Sequence, residues 1–166
     1  RTEGFPSFSP DGSQVAYWYA RDGDVLNPNE VYVVPSAGGT PRNLTRTLDR
    51  TIFQSAWMPD GRSLLFAVVK FHKHDENAPF FSKVFRYVFA TGRILELFDN
   101  GSNLAPSPDG KTIAFLKRDD KRSSDIYLYD IEKRQQSRLA SDTTKKNALS
   151  WSPDGKKIVY NISRQR

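Results

Sequence analysis

The chain consists of short apolar segments separated by polar turns, and it contains no long amphipathic stretch. Segments such as VAYWY (15–19) and LLFAVV (64–69) carry apolar residues at consecutive positions and are rich in β-branched and aromatic residues. Clusters of Gly, Pro, Asp and Ser bound these segments. The pattern predicts β-strands that are buried on both faces, so we expect an all-β protein.

One turn motif occurs four times, as SPDG at 9–12, 107–110 and 152–155 and as MPDG at 58–61. The prolines are 49, 49 and 45 residues apart, a period that is typical of β-propeller blades with four strands each. Proline fixes φ in the turn, and glycine accepts the left-handed conformation. We therefore interpret the motif as the tight hairpin between the first two strands of each blade. Its predicted structural residues are Pro10, Asp11, Gly12, Pro59, Asp60, Gly61, Pro108, Asp109, Gly110, Pro153, Asp154 and Gly155.

Each repeat is predicted to form a four-stranded antiparallel blade. The units are about 5–49, 50–101 and 102–146, followed by a half unit at 147–166. The fold class is thus an all-β, partial β-propeller of about three and a half blades in a single domain, 1–166. Closed propellers have about four to eight blades, so we expect the chain to belong to a longer propeller. A ring of two chains that pair through their half-blades is the alternative.

The segments WSPDGKKIVY (151–160), SPDGKTIAF (107–115) and DIYLYDIEKRQQSRLAS (125–141) resemble the WD-repeat-like propeller repeat of TolB-type proteins. The same repeat forms the propeller of prolyl oligopeptidase-family serine peptidases. VYVVPSAGGTPRNLT (31–45) is especially similar to the third and fourth strands of dipeptidyl- and acylaminoacyl-peptidase propellers. The resemblance covers essentially the whole chain. It implies the fold but not the function, because binding proteins, peptidases, sensor ectodomains and lyases all use this repeat.

The sequence contains no catalytic motif. A Gly-x-Ser-x-Gly elbow, a phosphate loop and cysteine are all absent, so we predict no catalytic residue and no cofactor. His72 and His74, the only histidines, stand beside Asp75 and Glu76 and could supply two ligands of a metal site. A solvated charged loop is the preferred interpretation, and no metal site is predicted.

The charge is uneven along the chain. Residues 111–166 carry 14 Lys and Arg against 7 Asp and Glu, whereas residues 1–110 carry 11 against 12. Both signs alternate in KRDDKRSSD (117–125), which favours a solvated surface over a nucleic-acid site. No apolar run has the length that a membrane helix needs. A chain without cysteine is compatible with the periplasm and with the cytoplasm.

Loops between the second and third strands vary most in length, which is typical of a binding face. The candidate binding residues in them are Arg21, Asp22, His72, His74, Arg118 and Lys121. We predict a non-catalytic propeller module, which the sequence favours as the substrate-gating or interaction propeller of a prolyl oligopeptidase-family serine peptidase. The alternative is a TolB-like protein-binding propeller of a periplasmic complex or a sensor ectodomain.

The predicted partners are a protein or a peptide, and the rest of a longer propeller or an adjoining domain. Self-association is also expected through the C-terminal edge strand, 157–162, because an apolar strand edge that is left open invites pairing with another chain.

Overall fold

The computed structural model describes residues 4–20, 29–48, 50–69, 82–118, 124–140 and 144–163. Throughout these ranges the regular structure is β, and no helix occurs. The strands form three four-stranded sheets and one two-stranded sheet, in which all neighbours are antiparallel. The prediction of an all-β fold with four-stranded antiparallel blades is confirmed.

The chain divides into two compact units, Arg1–Asp99 and Asn100–Arg166. Strand order within each sheet follows chain order. In the first unit, the first sheet contains β1 Gly4–Phe8, β2 Gln14–Ala20, β3 Asn29–Pro35 and β4 Arg42–Asn43, and the second contains β5 Thr51–Trp57, β6 Ser63–Val69, β7 Ser82–Val88 and β8 Arg93–Asp99. In the second unit, the third sheet contains β9 Ser102–Pro106, β10 Thr112–Arg118, β11 Ser124–Asp130 and β12 Gln135–Ala140, and the fourth is the hairpin β13 Lys145–Trp151 and β14 Ile158–Ser163.

Strand β4 is shorter than PRNLT (41–45), the segment at the fourth-strand position of the first repeat. The reason is that a side chain replaces part of the backbone hydrogen bonding. Pro41 has no N–H to donate. The Leu44 amide still donates to the Val31 carbonyl at 2.8 Å, but the Val31 amide donates to Thr45 Oγ1 at 2.9 Å. Regular pairing therefore stops after Asn43.

The first unit has its core between its two sheets. We call the face of a sheet that carries the residue two positions before the PDG proline its front face, and the opposite face its rear face. The rear face of the first sheet carries Ala16 and Val31, and the front face of the second carries Leu64, Phe66 and Val68; all five are completely buried. They belong to one apolar cluster, which contains Ala16, Val31, Val33, Leu44, Ile52, Leu64, Phe66, Val68, Phe85 and Tyr87.

In both units, a tryptophan side chain donates a hydrogen bond to the preceding sheet. In the first unit, Trp57 Nε1 donates to the carbonyl oxygen of Ser7 at 3.1 Å. In the second unit, Trp151 Nε1 donates to the carbonyl oxygen of Ala105 at 2.8 Å. The first sheet has Phe8 at this position. The same contact thus joins consecutive sheets at equivalent positions of the repeat.

We predict that Trp57→Phe lowers the free energy of unfolding by about 1 kcal/mol, because it removes the indole donor and keeps an aromatic ring. Trp151→Phe should have an effect of the same size on the second unit. Urea denaturation followed by circular dichroism measures both effects. Midpoints equal to that of the wild type would show that the indole hydrogen bond does not stabilise the stacked sheets.

Candidate functional site

The four PDG segments form β-turns at one end of the sheets. In the three SPDG turns, the glycine amide donates to the serine carbonyl oxygen at 2.8 to 2.9 Å. Gly12, Gly110 and Gly155 have φ values of 72°, 71° and 68°, which other residues adopt only with strain. The glycine of the motif is therefore required by the backbone conformation.

The aspartate carboxylates of the SPDG turns are engaged within the turn. Asp11 Oδ1 accepts from Ser9 Oγ at 2.6 Å and from the Ser13 amide at 3.0 Å, while Ser9 Oγ accepts from the Gln14 amide at 3.0 Å. The hydrogen bond from the Ser9 hydroxyl is the main cause that lowers the pKa of Asp11 to about 2. These carboxylates are acceptors that close a hairpin, and an acid of such low pKa is a poor general base at neutral pH.

The same arrangement recurs in the other two SPDG turns. Ser107 Oγ donates to Asp109, and Ser152 Oγ donates to Asp154, each at 2.6 Å. The serine hydroxyl is again the main cause that lowers the pKa of each aspartate. In the MPDG turn the methionine has no hydroxyl to donate; its side chain is only 2% exposed, and Asp60 Oδ1 accepts from the Arg62 amide at 2.9 Å.

The predicted binding residues fall almost entirely outside the described part of the chain. Arg21, Asp22, His72, His74 and Lys121 lie outside the described residues. Arg118 is the last residue of β10, and its side chain is likewise outside the described part. The site is therefore described by the strand ends to which these loops connect.

A buried carboxylate lies at the loop end of the first sheet. Glu30, the second residue of β3, is 2% exposed, and its Oε2 accepts from Asn43 Nδ2 at 2.6 Å and from Tyr32 Oη at 3.1 Å. Burial, and then the hydrogen bond to Glu30, raise the pKa of Tyr32. Asn29 Nδ2 donates to the Ile52 carbonyl oxygen at 3.3 Å, which fastens the start of β3 to β5. These contacts fix the start of β3.

The second sheet has a charged residue at the position of Glu30. Lys83, the second residue of β7, forms a salt bridge with Glu96, and its Nζ lies 3.5 Å from Asp99 Oδ1. The hydrogen bond to Glu96 is the main cause that raises the pKa of Lys83. The three side chains are a third to nearly two thirds exposed, so they are accessible at this end of the second sheet.

The third sheet repeats the arrangement. Asp125, the second residue of β11, has Arg138 Nη1 at 3.5 Å from its Oδ2. Glu30, Lys83 and Asp125 thus occupy one position of the repeat and have charges of different sign. Each contacts a polar side chain of the fourth strand. The sequence reasoning missed these pairs, although the signal was visible as the charged second residue of the third strand in every complete unit.

These strand ends hold charged and polar side chains, of which Glu30 is buried and Lys83, Glu96 and Asp99 are accessible. Within the described ranges, no group of three or more His, Cys, Asp or Glu side chains is placed to hold a metal ion. Nor does this part of the chain contain a helix of the length and apolar character needed to cross a membrane.

No family model matches the chain. Among curated proteins, the Tol-Pal system protein TolB of Alcanivorax borkumensis is 28% identical over 120 residues, which cover 70% of this chain and 27% of that protein. Among solved structures, the putative TolB from Agrobacterium tumefaciens is similar with a TM-score of 0.72 and 24% identity, over 95% of this chain and 53% of the other. Puromycin hydrolase is similar with a TM-score of 0.71 and 21% identity, over 98% of this chain and 25% of the other.

These similarities show the fold: the chain has the architecture of a TolB-type β-propeller, which is also the propeller of prolyl oligopeptidase-family peptidases. The predicted resemblance is thereby confirmed. The chain spans about a quarter of the curated relative and from a quarter to about half of the two solved chains. A partial propeller is consistent with this coverage.

We predict that Ser9→Ala raises the pKa of Asp11 from about 2 towards the ordinary aspartate value of 3.8, because the hydroxyl is its main hydrogen-bond donor. Since the pKa is lowered in the folded state, the stabilisation by this turn is present above about pH 3.8 and is lost as the pH falls through about 2. Carboxyl NMR titration measures the shift. Ser13→Ala is the matched control and should raise the pKa less, and a larger rise in the control would contradict the assignment.

Proposed function

We propose that the chain is a non-catalytic, protein-binding propeller module whose recognition surface lies at the loop ends of the sheets. The observation that carries this proposal is the difference between the two ends of the sheets. The turn end repeats the same internally bonded SPDG turn, whereas at the other end one position of the repeat carries charges of different sign, Glu30, Lys83 and Asp125, each paired with a polar side chain of the fourth strand and adjoining a loop of varied length in the sequence. Variation on a constant scaffold is typical of binding sites. The candidate residues Arg21, Asp22, His72, His74, Arg118 and Lys121 belong to this surface.

The curated relative favours a TolB-like module. That protein is named as part of the Tol-Pal system, and it is the more similar in sequence of the relatives described above, at 28% identity. On this interpretation the chain contributes a binding surface to an assembly of proteins. The partner is a protein segment that supplies polar and charged groups complementary to the strand-end pairs.

A second candidate is the propeller of a prolyl oligopeptidase-family peptidase, where it would gate substrates and hold a hydrolase domain. The segment VYVVPSAGGTPRNLT (31–45) and the similarity to puromycin hydrolase over 98% of this chain favour it. The coding sequence adjoining this chain separates the two candidates. A following hydrolase domain with Gly-x-Ser-x-Gly supports the peptidase, and a small α/β domain before the propeller supports the TolB-like module.

Lysine cross-linking with mass spectrometry tests where a partner protein binds. The sequence offers Lys73 and Lys121 in the variable loops and, as internal controls, Lys111 and Lys156 directly after PDG turns. We expect cross-links from a bound protein to concentrate at Lys73 and Lys121. Cross-links that concentrate at Lys111 and Lys156 would place the binding surface at the turn end and contradict the proposal.

We also predict that the purified chain does not hydrolyse aminoacyl or peptidyl reporter substrates. The reason is that its sequence has no nucleophile elbow and its SPDG carboxylates are used within turns. A fluorogenic assay measures the activity. Turnover that co-purifies with the chain and disappears on its immunodepletion would refute the non-catalytic assignment under both candidates.

A further inference from the structure

The four PDG turns share one reactive pair, because each places an aspartate directly before a glycine. A glycine nitrogen can attack the side-chain carbonyl carbon of the preceding aspartate, since glycine has no Cβ to hinder the approach. In each turn the aspartate side chain is bent over the following backbone, because its Oδ1 accepts from the amide two residues later at 2.9 to 3.1 Å. The four turns therefore hold the two reacting groups in the same arrangement.

The turns differ in the group that contacts the carboxylate. In the three SPDG turns, a serine hydroxyl donates to the aspartate Oδ1 at 2.6 Å. This bond stabilises the ionised carboxylate, and it is the main cause that lowers the pKa of Asp11 to about 2. In the MPDG turn, Met58 takes the place of the serine, and its side chain has no O–H to donate. Asp60 therefore lacks the hydroxyl bond that the other three carboxylates have.

Asp60 and Asp154 form a matched pair for comparison. Both are exposed, and the glycine amide of each turn donates to the carbonyl oxygen of the first turn residue at 2.9 Å. Gly61 and Gly155 have φ values of 66° and 68°, and a Cβ on either would lie 3.7 Å from the proline of the preceding turn. The exchange of serine for methionine thus occurs in two turns of the same backbone geometry.

We propose that Asp60 is the aspartate of the PDG turns that isomerises spontaneously to isoaspartate in the folded chain. The Gly61 nitrogen bonds to Asp60 Cγ, the C–OH bond of the protonated carboxyl breaks, and the hydroxyl leaves with the nitrogen's proton as water. The product is a cyclic succinimide. Water then adds to one of its two carbonyl carbons and breaks the bond from that carbon to nitrogen. Addition at the main-chain carbon leaves Gly61 attached through Cγ, which is isoaspartate, and addition at Cγ restores aspartate.

The hydroxyl contact decides the rate because only the protonated carboxyl loses water in this step. A serine that stabilises the ionised form makes the reactive form rarer. The product also has a structural consequence, since isoaspartate adds one methylene to the backbone of the turn between β5 and β6. That turn is closed by the Gly61 amide, which donates to the Met58 carbonyl oxygen at 2.9 Å, and all seven residues of β6 are buried. The modification thus alters the hairpin from which a buried strand starts.

Ageing of the purified chain at neutral pH, followed by tryptic digestion, tests the proposal. The tryptic peptides 51–62 and 147–156 each contain a single aspartate, Asp60 and Asp154, so that chromatography with fragment-ion mass spectrometry assigns isoaspartate to one residue. We expect isoaspartate to form at Asp60 faster than at Asp154 by about 5-fold or more, the factor that corresponds to one hydrogen bond to a charged group. In concentrated urea the two rates should converge, because both turns are then unfolded.

Reciprocal variants test the role of the hydroxyl. Met58→Ser should slow the reaction at Asp60 to the rate of Asp154, and Ser152→Ala should speed the reaction at Asp154 by about 5-fold. Ser150→Ala, at an exposed position of the same strand β13, is the matched control and should leave the rate at Asp154 unchanged. Because Met58 is only 2% exposed, circular dichroism checks the fold of its variant, and Ser152→Ala tests the same contact in a turn whose serine is less buried.

Three results would overturn the proposal. Equal rates at Asp60 and Asp154 in the folded chain would show that the missing hydroxyl does not matter. An unchanged rate at Asp154 in Ser152→Ala would show that the serine contact does not protect the carboxylate. A difference between the two residues that persists in urea would assign the effect to the local sequence instead of the folded turn.

Discussion

The structure depends on one constraint, which is that a sheet with two apolar faces must have both of them covered. In β6, Phe66 and Ala67 point to opposite faces, and both are completely buried. A single sheet of this kind would expose too much apolar surface to be stable alone. Within each unit, stacking covers the faces that its two consecutive sheets turn towards each other, and the indole bonds of Trp57 and Trp151 fix the same alignment in each unit.

Stacking brings the two PDG hairpins of each unit side by side. A Cβ added at Gly61 or Gly155 would lie 3.7 Å from the proline of the preceding turn, which is ordinary van der Waals contact. The Ser9–Asp11 bond holds the turn compact and satisfies the Gln14 amide at the same time. In the MPDG turn, the buried side chain of Met58 stands in place of the serine hydroxyl. The Gly61 amide still donates to the Met58 carbonyl oxygen, so the backbone turn is the same. The motif is therefore repeated because the same backbone turn, with a glycine at positive φ, is repeated.

The repeat in the sequence was sufficient to predict the sheets, because strand positions are tied to a turn that recurs at a nearly fixed interval. The polar pairs could not be predicted in the same way. Whether Glu30 reaches Asn43, or Asp125 reaches Arg138, depends on the register between the third and fourth strands, and bulges and turns of different length set that register. The short β4 was also missed, since it depends on the Thr45 hydroxyl replacing a ladder contact. The candidate loop residues remain predictions, because they lie outside the described residues, apart from the backbone of Arg118.

The first two sheets have a stacked pair of aromatic rings at equivalent positions, but the residues differ. Phe66 and Phe85 stack at 5.8 Å within the buried core, whereas Tyr17 and Tyr32 stack at 5.7 Å on a partly exposed face. The Tyr32 hydroxyl donates to Glu30, so the second form carries its own polar partner. A phenylalanine stack must stay covered to be stable, but a tyrosine stack with a bonded hydroxyl tolerates both water and a neighbour. The first sheet thus combines ring stacking with a polar contact, whereas the equivalent pair of the second sheet relies on apolar burial.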